Sequence, residues 1–216
     1  MTGKNSSGCS ILGTNPRVST FDGNEYIFNG LGDYWFLRAA QSLFDSRSLK
    51  IQIRMAPCGS ASCITAVAIN DNNENTAIFY YDADTGLLTA WSSQTGYASR
   101  DVNFDLQFGN YIAKISAFSN SEAVGYQLDI SYQYSNSIRR FGFILGNKMG
   151  ANAYAILDDL NMGSTTGLCG TFDGCSSNDY YSANQQYVNP GDSNTNIFTY
   201  FSETCNYRFS FTFQTF

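Results

Sequence analysis

Residues 126–134 read Tyr126-Gln127-Leu128-Asp129-Ile130-Ser131-Tyr132-Gln133-Tyr134, an uninterrupted alternation of apolar and polar side chains. A period of two residues places every apolar side chain on one face of an extended chain, so this stretch predicts a half-buried β-strand. The same alternation recurs in Ile51–Met55 and in Phe209–Phe213. We therefore expect strands at widely separated points of the chain.

Turn signals separate the strand-like stretches. Asp84-Thr85-Gly86 lies between the apolar runs Ala77–Tyr81 and Leu87–Trp91, which is the pattern of a β-hairpin. Many short strands with turns about every ten residues are typical of a sandwich or barrel. The predicted fold is all-β, an antiparallel twisted β-sandwich stapled by disulfides.

Helical periodicity is weak throughout the chain. Asp45–Ser48 and Ala183–Val188 could each form one helical turn at most. Ser176–Thr195 is the least strand-like stretch, and we expect a long C-terminal surface loop there. With 216 residues and no linker or repeat, the chain fits one domain.

Composition excludes several classes of function. The net charge is −6, whereas nucleic-acid binding depends on Lys and Arg side chains that neutralise phosphates. No apolar run reaches the length that spans a bilayer, so we expect no membrane insertion by this segment. Charged residues make up only 14% of the chain, and neutral polar residues take their place, as in extracellular proteins.

The chain has six cysteines, no histidine and no Cys-x-x-Cys pair, which favours disulfides over zinc and implies an oxidising compartment. Cys58 and Cys63 bracket a short hairpin tip and form the simplest pair. Met1–Ser10 has no apolar signal region, so we interpret the chain as a piece excised from a larger extracellular protein. Asn5-Ser6-Ser7 is an N-glycosylation sequon, which makes Asn5 a candidate glycosylation site.

Two similar turns, each with a glycine and an Asp carboxylate, lie near the two ends of the chain. The first is Thr20-Phe21-Asp22-Gly23, and the second is Gly167-Leu168-Cys169-Gly170-Thr171-Phe172-Asp173-Gly174, followed by Asn178-Asp179. Together with Tyr26–Tyr34, they resemble the opening and closing motifs of a von Willebrand factor type D domain. Phe28–Asp33 is most similar to the type D domains of transmembrane mucins and sushi-domain proteins that also carry NIDO and AMOP modules. The resemblance implies one such domain over residues 1–216, with a core of about 9–207.

The resemblance also implies a bound calcium ion where the two turns meet. The implied ligands are the carboxylates of Asp22, Asp173 and Asp179, the side-chain oxygen of Asn178, the backbone carbonyl of Cys175, and Thr171, which stands where the family usually has Asn. Calcium binds six to eight oxygen ligands of these kinds. Converging carboxylates would also repel one another without a cation.

Two further disulfides are implied by the resemblance alone. One is Cys9–Cys169, and the other is Cys175–Cys205. They would anchor the second of the two turns, which carries most of the implied calcium ligands, at Cys169 and at Cys175.

Two functions remain open at this point. The resemblance implies a non-catalytic structural or adhesion module of a mucin-like or matrix glycoprotein, secreted or in an ectodomain. Its partners would be other extracellular or mucin-type domains, homotypic pairs included.

A chain without histidine has no base for a nucleophilic triad. The alternative is a carbohydrate-binding module or a glycan-acting enzyme, which would need exposed aromatics such as Trp35 and Trp91, or facing acids drawn from Asp158-Asp159, Asp101 and Asp105.

Overall fold

The computed structural model describes residues 6–39, 48–71, 75–95, 98–99, 104–119, 124–133, 138–147, 150–158, 165–175 and 179. Within these ranges the regular structure is entirely β. The strands are β1 Ser6–Leu12, β2 Arg17–Ser19, β3 Glu25–Ile27, β4 Gly32–Ala39, β5 Leu49–Cys58, β6 Ala61–Asp71, β7 Asn75–Asp82, β8 Leu87–Ser92, β9 Ala98–Ser99, β10 Phe104–Phe108, β11 Tyr111–Ser119, β12 Val124–Tyr132, β13 Arg139–Gly146, β14 Asn152–Asp158 and β15 Thr165–Thr166. The all-β prediction is confirmed.

The strands form one curled, branched sheet. Its main path runs β15-β4-β5-β6-β13-β14-β1-β2-β3, with β7-β8-β9 branching from β6 and β12-β11-β10 branching from β13. The curl brings the two halves face to face: Phe36 of β4 packs against Phe143 of β13, and Tyr81 of β7 against Tyr126 of β12. The aromatic and aliphatic core therefore lies between two layers, as in a sandwich.

The prediction of purely antiparallel pairing needs one correction. Strands β6 and β13 run parallel where Leu145 pairs with Ile64. Strand β7 pairs with β6 only from Ala66 to Asp71. The beginning of the same edge of β6, at Ile64, is therefore open to pair with β13. Such a pairing joins residues far apart in sequence, and the local alternation of side chains does not encode it.

The strands predicted from alternation are confirmed where the structure describes them. Ile51–Met55 lies in β5, and residues 126–132 lie in β12. The Asp84-Thr85-Gly86 hairpin joins β7 to β8, and Gly86, at φ +70°, donates its backbone N–H to the Asp82 carbonyl at 2.8 Å. The positive φ explains why glycine occupies that position.

Several predictions fall outside the described residues. They concern the strand Phe209–Phe213, the helical turns at 45–47 and 183–188, the loop 176–195 apart from Asp179, the sequon residue Asn5, the candidate acids Asp101 and Asp159, and Cys205. Among the residues that are described, no helix is long and apolar enough to cross a membrane.

Two disulfides are formed within the described ranges. Cys9 of β1 is bonded to Cys169, with Cα atoms 5.5 Å apart and 160 positions between them in sequence. Cys58 and Cys63 are bonded across the tip of the β5–β6 hairpin. The pairing of Cys175 with Cys205 stays a prediction.

Candidate metal centre

The first half of the candidate site is the turn between β2 and β3. The backbone N–H of Thr20 donates to the Asn24 carbonyl at 2.8 Å, and the Gly23 N–H donates to the Thr20 carbonyl at 3.2 Å. Gly23 has φ +88°, a conformation that glycine adopts without steric cost. The Thr20 hydroxyl also accepts the Asn24 backbone N–H at 2.9 Å, which fixes the turn from inside.

The second half is the closing loop, residues 167–175. It is anchored to β4 because the backbone N–H groups of Leu168 and Cys169 donate to the carbonyls of Trp35 and Phe36. A Cβ at Gly167 would lie 2.8 Å from the Trp35 carbonyl oxygen, so only glycine permits this close approach.

The two halves are held together by contacts of several kinds. The Phe21 N–H donates to the Cys169 carbonyl at 3.2 Å, and the Tyr26 hydroxyl donates to the Leu168 carbonyl at 2.7 Å. The rings of Phe21 and Phe172 pack with centroids 5.3 Å apart. Because the Cys9–Cys169 disulfide adds a covalent link beside them, the relative position of the two halves is strongly constrained.

Asp22 makes the most concentrated polar contact between the halves. Its Oδ2 atom accepts hydrogen bonds from three consecutive backbone N–H groups, those of Asp173 (3.1 Å), Gly174 (3.0 Å) and Cys175 (3.1 Å). Consecutive N–H groups that point to one spot form a concave anion-binding site. The Asp22 carboxylate therefore joins the first turn to the closing loop even without a metal ion.

Asp179 is the most deeply buried acid of the proposed ligand set, with 2% of its surface exposed. Its Oδ2 atom accepts hydrogen bonds from the Thr20 hydroxyl at 2.6 Å and the Asn24 side-chain amide at 3.2 Å. Its Oδ1 atom is buried and makes no well-formed hydrogen bond with the described residues. A buried oxygen without a well-formed hydrogen bond carries a desolvation cost, which a cation could offset.

The electrostatics of Asp179 agree with this geometry. Burial raises the pKa of Asp179 from 3.8 to about 6, and the negative charge of Asp22 adds to the increase. The hydrogen bonds from Thr20 and Asn24, together with the nearby Thr171 backbone amide, oppose the increase in pKa. Desolvation and the charge of Asp22, which raise the pKa of Asp179, thus outweigh the three hydrogen-bond donors that lower it.

The other proposed ligands are arranged less completely. The Asp173 carboxylate accepts the Cys175 backbone N–H at 2.9 Å, Thr171 is half-buried, and Cys175 is exposed. Asn178 lies outside the described residues. In the ranges that are described, no group of three or more His, Cys, Asp or Glu side chains is arranged to hold a metal ion. Oxygen donors of these kinds suit calcium, and the buried Oδ1 atom of Asp179 is the donor that most clearly lacks a partner among the described residues. The three acids Asp22, Asp173 and Asp179 are all described, but they are not brought together as such a group.

Sequence reasoning missed two residues that the structure brings into this centre. Thr20 belongs to the quoted motif, but its contact with Asp179 spans 159 positions of sequence. Asn24 reaches the same carboxylate across 155 positions. A hydroxyl and an amide within one short turn are a local sign of side-chain hydrogen bonding, yet nothing local identifies the distant acceptor.

Comparison with known families agrees with this fold and this pair of turns. The sequence model for the von Willebrand factor type D domain matches residues 9–186, and the chain belongs to that family. The matched range begins at the Cys9 of the disulfide and includes both turns. No curated protein sequence matches the chain.

Membership in the family fixes the general class of the protein. Type D domains are extracellular, non-enzymatic modules that generally mediate interactions between extracellular proteins. The two disulfides are consistent with an oxidising compartment.

Proposed function

We propose that this chain is a calcium-stabilised structural or adhesion module of a mucin-like or matrix glycoprotein, with no catalytic activity of its own. It would be secreted or part of an ectodomain, and it would assemble with other extracellular or mucin-type domains, including copies of itself. The observation that carries the proposal is the junction of the first turn with the closing loop, where Asp22 accepts backbone N–H groups of the closing loop and the buried Asp179 accepts the Thr20 hydroxyl of the first turn.

Calcium would lie at this junction. Its ligands would come from the carboxylates of Asp22, Asp173 and Asp179, completed by the carbonyl of Cys175 and the side-chain oxygens of Asn178 and Thr171. Oδ2 of Asp22 accepts three backbone N–H groups, so we expect its other oxygen, Oδ1, to be the one that binds the cation. A divalent ion would relieve the repulsion between the carboxylates and satisfy the buried oxygen of Asp179. Its role would be to lock the two ends of the domain together.

The alternative of a carbohydrate-binding or glycan-acting protein finds less support. Tyr154 is the single exposed large aromatic in the described part of the chain, and Trp35 is buried. The Asp158 carboxylate is buried and accepts the Ile138 backbone N–H at 2.7 Å, which is a structural role. A row of stacking aromatics or a facing pair of acids would be needed for that alternative.

Thermal unfolding in the presence of calcium or of a chelator tests the proposed function. A ligand that binds only the folded state stabilises it by about 2.7 kcal/mol when its concentration is one hundred times its Kd. We expect calcium to raise the melting temperature and Asp173→Ala to abolish the increase. Asp105→Ala, at an exposed position of β10, should keep it. Coincident curves for the wild-type protein at millimolar calcium would refute the metal site.

A further inference from the structure

Thr20 and Asn24 both contact Asp179, although neither residue belongs to the proposed ligand set. Both donate to the same carboxylate oxygen, Oδ2, at 2.6 Å and 3.2 Å. The Thr20–Asp179 hydrogen bond is buried, and both of its residues are nearly inaccessible to solvent, with 1% and 2% of their surfaces exposed. Water therefore does not substitute easily for the Thr20 hydroxyl at that position.

The direction of the Thr20 hydroxyl is set by its own turn. Its Oγ1 atom already accepts the Asn24 backbone N–H at 2.9 Å. The hydroxyl proton therefore points towards the carboxylate, which accepts it when ionised. Asn24 contributes twice, through its backbone N–H to Thr20 and through its side-chain amide to Asp179.

This arrangement distinguishes the two oxygens of Asp179. Oδ2 accepts hydrogen bonds from two side-chain donors, whereas Oδ1 is buried and accepts no well-formed hydrogen bond from the residues that the structure describes. Oδ1 lies against Gly170, where a Cβ would overlap it, so the backbone also limits how the carboxylate can rotate. The carboxylate is thereby oriented before any ligand arrives.

We propose that Thr20 and Asn24 are positioning residues that hold Asp179 through Oδ2 and present its Oδ1 atom to calcium. The inference rests on the proposed function, because it presumes a calcium ion at the junction. Residues that orient a metal ligand in this way typically change metal affinity by 10- to 100-fold when they are lost. Thr20 would contribute more than Asn24, since its hydrogen bond is shorter and more deeply buried.

Calcium titration calorimetry on metal-free protein tests the proposal through Thr20. Thr20→Val keeps the shape of the side chain and removes the hydroxyl, and we expect it to raise the calcium Kd by about 10- to 100-fold. Thr20→Ser restores the hydroxyl and should return the Kd to within about threefold of the wild-type value. The matched control is Thr76→Val, which removes a hydroxyl that accepts the Asn70 side-chain amide at 2.8 Å in the β6–β7 pair. That control should lower the melting temperature without changing the Kd.

The possible outcomes separate the two proposals. If wild-type protein does not bind calcium at millimolar concentration, the proposed function fails and the positioning role fails with it. If wild-type protein binds calcium and Thr20→Val binds it equally well, only the positioning role is overturned. Should Thr20→Val lack the far-ultraviolet circular dichroism of a folded β protein, Asn24→Leu takes its place. An unchanged Kd in folded Asn24→Leu would then overturn the proposal, and a severalfold increase would support it.

Discussion

The Thr20 hydroxyl donates a 2.6 Å hydrogen bond to the Asp179 carboxylate across 159 positions of sequence. The contact joins a turn near the start of the type D domain to the segment that closes it. Asp22 makes a second link of this kind, because its Oδ2 atom accepts hydrogen bonds from the backbone N–H groups of Asp173, Gly174 and Cys175. The two ends of the domain are therefore linked by hydrogen bonds to two carboxyl side chains as well as by a disulfide.

The Asp22 contact should stabilise the domain even in the absence of calcium. Hydrogen bonds to a charged group contribute about 1.5–3 kcal/mol each, so we expect Asp22→Ala to lower the free energy of unfolding by about 2 kcal/mol or more. Asp22→Asn keeps an acceptor but loses the charge, and it should fall between the alanine variant and the wild type. Urea denaturation in chelator measures both variants. A cost for Asp22→Ala no larger than that for the exposed Asp105→Ala would contradict this role.

The raised pKa of Asp179 predicts a pH dependence of the metal-free protein. Its folded-state pKa is about 6 against an ordinary 3.8, so the folded state holds this proton more tightly than the unfolded state. The stabilising contribution is fully present below about pH 3.8 and is lost as the pH rises through about 6. Calcium should act in the opposite direction, because it competes with the proton and binds better above pH 6.

Urea denaturation between pH 4 and 7 in metal-free buffer measures this dependence. Asp179→Asn imitates the protonated form, and the part of the pH profile due to Asp179 should disappear in that variant. Parallel profiles for the wild-type protein and Asp179→Asn would show that Asp179 does not titrate in this range.

The two disulfides should differ in their contribution to stability. In the chain-entropy model, removing the Cys9–Cys169 bond, which closes a loop of 160 residues, costs about 5 kcal/mol. Removing the Cys58–Cys63 bond, whose residues are 5 positions apart, costs about 2 kcal/mol in that model. Chemical denaturation of the two double-alanine variants compares them. Equal losses would mean that loop length does not govern the effect of these bonds.

Gly170 should be intolerant of a side chain for two reasons, which can be separated. Its φ is +72°, and a Cβ would overlap the Asp179 carboxylate. Gly86 has nearly the same φ, +70°, but nothing lies within 4 Å of a Cβ built there. Gly86→Ala therefore reports the backbone strain alone, about 1–2 kcal/mol. We expect Gly170→Ala to cost at least about 1 kcal/mol more, as overpacked sites usually do. Equal costs would show that the carboxylate moves aside freely.

Much of the fold could be predicted from local patterns, because the side-chain period of a strand is local. Residues 126–132 and Ile51–Met55 are strands as their alternation indicates, and Asp84-Thr85-Gly86 is a hairpin turn. The parallel pairing of Leu145 with Ile64 could not be predicted in this way, since it depends on which strand edge is left open after folding.

In the candidate site, too, residues within local motifs could be predicted, whereas contacts between distant residues could not. Asp22, Asp173 and Asp179 are identified by motifs that lie within short segments. The role of Thr20 depends on a distant acid, and a single sequence contains no local signal for that partner. The burial of Asp179 was also missed, because the surrounding stretch has the polar composition of a surface loop.

A crystal structure of the protein grown in millimolar calcium, with the ion located by its anomalous scattering, tests the calcium site most directly. We expect one calcium peak at the junction of the first turn and the closing loop. Carboxylate oxygens of Asp22 and Asp179 should lie about 2.3–2.6 Å from it. No peak between these carboxylates, or a calcium ion bound only elsewhere on the domain, would contradict a calcium site at this junction.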